Sequence, residues 1–173
     1  NFAPLAGELA IKFHLSVSQR TLLLATPVLL GSIMRIPVGI LSDRYGGKKV
    51  YLILMAFILI PLLMITKVHT YGMLLVAALL VGMAGTSFAV GVSYASVWFP
   101  PEKQGLALGI VSMGNMGNAV AALTLPSIST SYGFNMVYYF LMVLTVILAV
   151  LFAIFCREMP VDKTKTVTGA LAV

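Results

Sequence analysis

The stretch GILSDRYGGKK, Gly39 to Lys49, joins one long apolar run to the next and carries a distinctive set of residues. A glycine stands near the end of the first run, and an aspartate and an arginine stand at that end. A Gly-Gly pair and two lysines follow. Each part has a physical use. Gly39 permits close contact with another helix. Gly46 and Gly47 permit the positive-φ geometry of a tight turn. Asp43 is placed to cap or pair across helix ends. Arg44, Lys48 and Lys49 suit the boundary between a bilayer and water. The stretch therefore reads as a short charged turn between two helices that cross a membrane.

Composition supports a membrane setting. The chain has 173 residues, of which 60% are hydrophobic and 9% charged. A soluble domain has about 45–50% apolar and about 25% charged residues. The mean hydropathy is +1.04. The formal charge of +6 does not form a nucleic-acid face, because most cations fall at the ends of apolar runs. The single cysteine, Cys156, excludes an internal disulfide and a thiolate metal cluster. No Ser-His-Asp set, carboxylate pair or phosphate loop is present, so no enzyme chemistry and no cofactor are expected. His14 and His69 read as solvated loop residues.

A spanning helix needs roughly 20 mostly apolar residues. Full spans are expected over about 20–42, 50–66, 71–99, 104–125 and 136–155. Residues 1–10, NFAPLAGELA, read as the end of an earlier helix, and the first residue is Asn1 rather than Met. The transmembrane bundle thus covers 1–156, and the polar 157–173 reads as a linker or tail. Pro100 and Pro101 fit a helix stop and restart, since proline is tolerated in a first helical turn. The side holding the 43–49 turn carries Arg44, Lys48, Lys49, Lys103, Arg157, Lys163 and Lys165. The other side carries Lys12, Arg20 and Lys67. The positive-inside rule makes the first side, with the 100–103 loop and the tail, cytoplasmic. Gly82, Gly85 and Ala89 share one helix face, and Gly105 and Gly109 make a GxxxG. Both are spacings suited to helix packing in lipid.

Arg35 is the only charged residue inside the five spans, away from their ends. It lies eight residues before Asp43, roughly 12 Å from that helix end at 1.5 Å per residue. Phe88 is eleven residues before Phe99 and Asn115 ten after Gly105, which places them at roughly 16 Å and 15 Å from the same side. In a hydrocarbon core about 30 Å thick, all three are near the midplane. A charge there costs at least ~2.5–3.5 kcal/mol and marks a function by default. The spans hold no Asp or Glu. The partner of Arg35 is therefore water, a substrate, backbone carbonyls or a group outside this chain. A planar guanidinium with five donors is suited to a small planar oxyanion. Asn115 adds neutral donors and an acceptor, and Gly114 and Gly117 beside it remove side-chain bulk.

Gly39, Leu41, Asp43, Gly46, Lys48 and Lys49 fill a pattern that resembles the loop motif of the major facilitator superfamily, between its helices 2 and 3. The resemblance implies that this chain is the N-terminal six-helix half of a twelve-helix carrier, with most of helix 1 missing and the C-terminal half as its partner. It also implies that the motif, including Arg44, is a gating latch whose aspartate steadies one state. RIPVGILSDRYGG, SFAVGVSYASVWFPPEKQGLALGI and GNMGNAV together resemble the nitrate/nitrite porter family within that superfamily. Gly114, Asn115 and Gly117 match its G-N-x-G signature. Val111, Ser112 and Met113 stand where that signature is richer in glycine. Arg35, Ile36 and Pro37 match its helix-2 arginine segment, and Phe88 its helix-4 phenylalanine. The implied roles are Arg35 as anion ligand, Asn115 as hydrogen-bond partner and Phe88 as stacking wall. The expectation is an all-α membrane protein that moves nitrate or nitrite across the cytoplasmic membrane by alternating access. A carrier for another small anion such as a carboxylate, or a non-transporting membrane module, are the rival readings.

Overall fold

The computed structural model describes Gly7, Leu9 and residues 13–158. The expected stub at 1–10, apart from Gly7 and Leu9, and the tail beyond Glu158 lie outside the described residues. Five helical stretches are long and apolar enough to cross a membrane: Val17–Tyr45, Gly47–Thr66, Tyr71–Trp98, Pro101–Tyr132 and Phe134–Phe155. The first divides into α1 (Val17–Ile33) and α2 (Arg35–Tyr45). The second is α3 (Gly47–Thr66). The third divides into α4 (Tyr71–Val81), a 3-10 segment Gly82–Thr86, and α5 (Ser87–Trp98). The fourth, after a 3-10 turn Pro101–Lys103, divides into α6 (Gln104–Ser112), a 3-10 segment Met113–Asn115, and α7 (Met116–Tyr132). The fifth is α8 (Phe134–Phe155).

Local chemistry sets the ends. α1 starts on a capping box. Ser16 Oγ accepts from the Gln19 amide at 3.3 Å, and Gln19 Oε1 accepts from the Ser16 amide at 3.0 Å. This fills two of the donors a helix start leaves unpaired. Thr70 caps α4 by accepting from the Met73 amide at 3.4 Å. Two junctions are tighter than the sequence suggests. The charged turn shrinks to one non-helical residue, Gly46, at φ +97°. Gly47 is not a positive-φ residue. It opens α3, and a Cβ there would lie 2.9 Å from the Tyr94 ring. The loop expected after Leu125 is also absent. α7 runs on to Tyr132 and turns at Gly133, φ +89°. The polar run there stays helical with its hydroxyls bonded to its own backbone, Ser127 to Leu123 O at 3.4 Å and Thr130 to Ser127 O at 3.0 Å.

Packing is tightest where α1 meets the 3-10 segment Gly82–Thr86. A Cβ on Gly31 would come within 2.6 Å of Gly82 O, and a Cβ on Gly82 would strike the Pro27 carbonyl oxygen. Backbone lies on backbone, the arrangement small residues allow in lipid. The larger apolar core holds Leu23, Leu62, Ile65, Leu74, Leu125 and Val137, near the 66–71 and 133 turns. A smaller cluster of Val38, Val50 and Val90 sits nearer the charged turn. α3 and α8 pack along their length, with Tyr51 stacked on Phe152 at 4.8 Å between ring centroids. Not every glycine serves packing. A Cβ at Gly39, Gly105 or Gly109 meets nothing within 4 Å among the described residues, so the close contact expected at Gly39 is not made there.

Gly82→Ala is expected to destabilise the full chain by about 1–3 kcal/mol, the range for overpacking a filled site. Gly72→Ala, where a Cβ meets nothing within 4 Å, is expected to be neutral or slightly stabilising, since alanine is the better helix former. Thermal unfolding of the two variants in one detergent checks the contrast.

Candidate functional site

Three of the five spans are interrupted, and each interruption adjoins one of the three residues that the sequence places near the midplane. Arg35 is the first residue of α2, directly after the turn at Met34. Phe88 is the second residue of α5, next to the 3-10 segment Gly82–Thr86. Asn115 ends the 3-10 segment Met113–Asn115. Counted along their helices, the three lie roughly 15 to 17 Å from Tyr45, Trp98 and Gln104 at 1.5 Å per residue.

Each break has a local cause. Pro37 has no amide hydrogen, so the Ile33 carbonyl four residues earlier loses its helical donor and meets the proline ring. In the Gly82–Thr86 segment, hydroxyls compete for backbone acceptors. Thr86 Oγ1 donates to Met83 O at 2.6 Å and Ser87 Oγ to Ala84 O at 2.7 Å. Such bonds offer the chain an alternative to α-helical pairing. At Met113–Asn115 the pair Gly114-Asn115 is weakly helix-forming. Sequence periodicity does not register these breaks, because a single tightened turn leaves the apolar run unbroken. The signals that do mark them are Pro37, the Thr86-Ser87 pair and Gly114-Asn115.

α2, which bears Arg35, packs on α5, which bears Phe88, and α5 packs on α6, the helix that precedes the Met113–Asn115 segment. Arg35 and Asn115 are exposed, and Phe88 is 38% exposed. No hydrogen bond or ion pair joins the three side chains to one another among the described residues. The described carboxylates, Asp43, Glu102 and Glu158, all lie at or beyond helix ends, and none pairs with Arg35. Gly114 and Gly117 face open space, since a Cβ on either meets nothing within 4 Å among the described residues. Each of the three spans thus carries one of these side chains beside its break, and among the described residues the guanidinium has no carboxylate partner. Such a set can hold a small anion by hydrogen bonds and charge, with the ring excluding water from one side.

The charged turn is tied to the end of α8. Lys48 Nζ donates to Ala153 O at 2.7 Å, and the Tyr94 hydroxyl donates to Arg157 O at 2.6 Å. The Glu158 carboxylate lies where a Cβ on Gly46 would stand. The Arg44 guanidinium is 5.6 Å from the centroid of the Tyr45 ring. Asp43 is exposed, and no side chain caps α3. The sequence does not announce the role of Glu158 and Tyr94, because both lie far along the chain from the turn.

Single cysteines test the exposed face. In a full-length Cys156→Ser background, Arg35→Cys and Asn115→Cys are expected to react with a small charged thiol reagent from water. Val38→Cys and Val90→Cys, at positions 3% and 0% exposed, are expected to be protected. Protection at both Arg35 and Asn115 would contradict a wet face.

The family model described as Major Facilitator Superfamily matches residues 1–171. Over 130 residues, 75% of this chain, the chain is 39% identical to "Probable nitrate/nitrite antiporter NarK1" of Thermus thermophilus, of which it covers 29%. Over 151 residues, 87% of this chain, it is 36% identical to "Probable nitrate transporter NarT" of Staphylococcus carnosus, of which it covers 39%. The matched part thus spans between 29% and 39% of the length of these curated relatives. No solved structure matches it significantly. With its apolar spans and a family match along nearly the whole chain, this multi-pass membrane protein belongs to the Major Facilitator Superfamily.

Proposed function

We propose that the chain forms the substrate-binding N-terminal part of a carrier, not an enzyme, that moves nitrate or nitrite across the cytoplasmic membrane by alternating access. The observation that carries this reading is Arg35: a permanent cation at the first residue after a helix break, near the midplane, with no carboxylate partner among the described residues. The names of the relatives, which specify nitrate and nitrite, agree with it.

The chemistry follows from the residue types. The guanidinium offers two parallel N–H donors to two oxygens of a planar anion, which fixes orientation as well as charge. The Asn115 amide supplies a further hydrogen bond without a second charge. The Phe88 ring makes a flat wall for a flat ion. Gly114 and Gly117 leave room for the anion to approach the backbone. A second six-helix half supplies the opposite wall, and rocking of one half against the other exposes the site to each side in turn. The charged turn of Gly39, Asp43, Arg44, Gly46, Lys48 and Lys49 acts as the latch of that movement. It faces the cytoplasm together with the 100–103 loop and the segment after α8, by the excess of Lys and Arg on that side.

Uptake of labelled nitrate by cells expressing the full-length carrier tests this. Arg35→Lys is expected to lower uptake at least ~10-fold at equal expression, because a point charge cannot reproduce the planar fork. Chlorate and nitrite are expected to compete with nitrate, and formate and oxalate are not. Normal uptake in Arg35→Lys removes Arg35 from the site, and competition by formate or oxalate favours a carboxylate carrier. Asp43→Asn is expected to slow transport while nitrate binding is largely kept; lost binding contradicts the latch.

A further inference from the structure

An apolar groove runs between α3 and α8, away from Arg35, Phe88 and Asn115. Its volume is about 290 Å³. Leu52, Ala56 and Leu59 form one side, and Val146, Ala149 and Ala153 the other. Thr145, which also lines it, spends its hydroxyl on its own helix, donating to Leu141 O at 2.7 Å. From Leu52 to Leu59 the groove extends roughly 10 Å along the helix axis.

Both stripes of groove residues end in a cation at the same end. On α3, Lys48 and Lys49 precede Leu52 by four and three residues, one helical turn, and so lie on its face. On the other side Arg157 follows Ala153 by four residues. Lys48 Nζ bonds Ala153 O at 2.7 Å, so its charge is held at the groove mouth with further donors to spare. Lys49 and Arg157 are exposed. Beyond the apolar lining, where the spans end, stand Lys48, Lys49 and Arg157, with the Glu158 carboxylate held against Gly46; three cations to one carboxylate at the end of an apolar groove is a profile that suits an anionic amphiphile. A basic patch between membrane helices at the water boundary recruits acidic lipid headgroups.

We infer that this groove binds an anionic phospholipid of the surrounding bilayer, with one acyl chain between α3 and α8 and the phosphate at Lys48, Lys49 and Arg157. The site is independent of the anion site and of the transport reading. A lipid seated there bridges α3 to the end of α8, the same two elements that Lys48 already joins.

Native mass spectrometry of the full-length protein, stripped of lipid in detergent and titrated with dioleoyl phosphatidylglycerol or dioleoyl phosphatidylcholine, tests the inference. The glycerol lipid is expected to bind more tightly than the choline lipid. Arg157→Gln is expected to weaken it roughly five-fold, the effect of about one cation at a membrane surface. Ala149→Phe, which fills the groove, is expected to abolish the preference. Ala56→Phe approaches the groove from the opposite helix and serves as the second variant if the first fails to fold. Inorganic phosphate at millimolar concentration is expected not to compete. Equal binding of the two lipids, unchanged binding in a folded groove-filling variant, or displacement by inorganic phosphate would each overturn it.

Discussion

The contact of α1 with the Gly82–Thr86 segment is the constraint on which the rest of the bundle depends. In lipid, helices gain nothing by hiding apolar surface from a solvent that is itself apolar, so close packing and hydrogen bonds carry association. Gly31 and Gly82 supply a backbone-on-backbone approach that a Cβ on either would block. That contact brings the helix with Arg35 beside the helix with Phe88, and α5 in turn packs on α6, the helix that precedes the Met113–Asn115 segment. The proposed site would therefore rest on backbone proximity a few residues away. The same segment that is thin enough to pack is irregular enough to break the third span next to Phe88.

The second constraint is electrostatic. A guanidinium cannot shed its proton to escape burial, and the described carboxylates stand at the ends of the helices. Such a residue is tolerated near the bilayer centre where it faces the bundle interior or a wet cavity, or pairs with another group. The break at Met34 fits the proposed site, since irregular backbone at membrane depth is tolerated where it lines a cavity. Charge, helix break and exposed face thus coincide at one residue. Carriers in general place substrate sites where discontinuous helices meet near the midplane.

Much of this was legible in the sequence, and the reasons differ by residue. The spans are plain because hydropathy is a sum over many residues, and one misplaced side chain does not alter it. Arg35 stands out because it is a charge in an apolar run. Helix ends were less legible where two effects compete. After Leu125 the serines and threonines look like a loop, yet their hydroxyls find acceptors in their own helix and the chain continues to Gly133. In the Gly-Gly turn, sequence cannot tell which glycine takes positive φ. Contact with Tyr94 reserves Gly47 for steric reasons, while Gly46 alone makes the turn. The bonds from Lys48 and Tyr94 to the end of α8 join residues 105 and 63 apart. No local pattern encodes such pairs.

The most direct test of the central claim is a structure of the full-length carrier with nitrate bound. The account predicts the anion near the midplane, with two of its oxygens within about 3 Å of the Arg35 guanidinium nitrogens, the Asn115 amide on its edge and the Phe88 ring against its face. Nitrate bound elsewhere, with the Arg35 side chain bonded to backbone carbonyls of its own bundle, would contradict it.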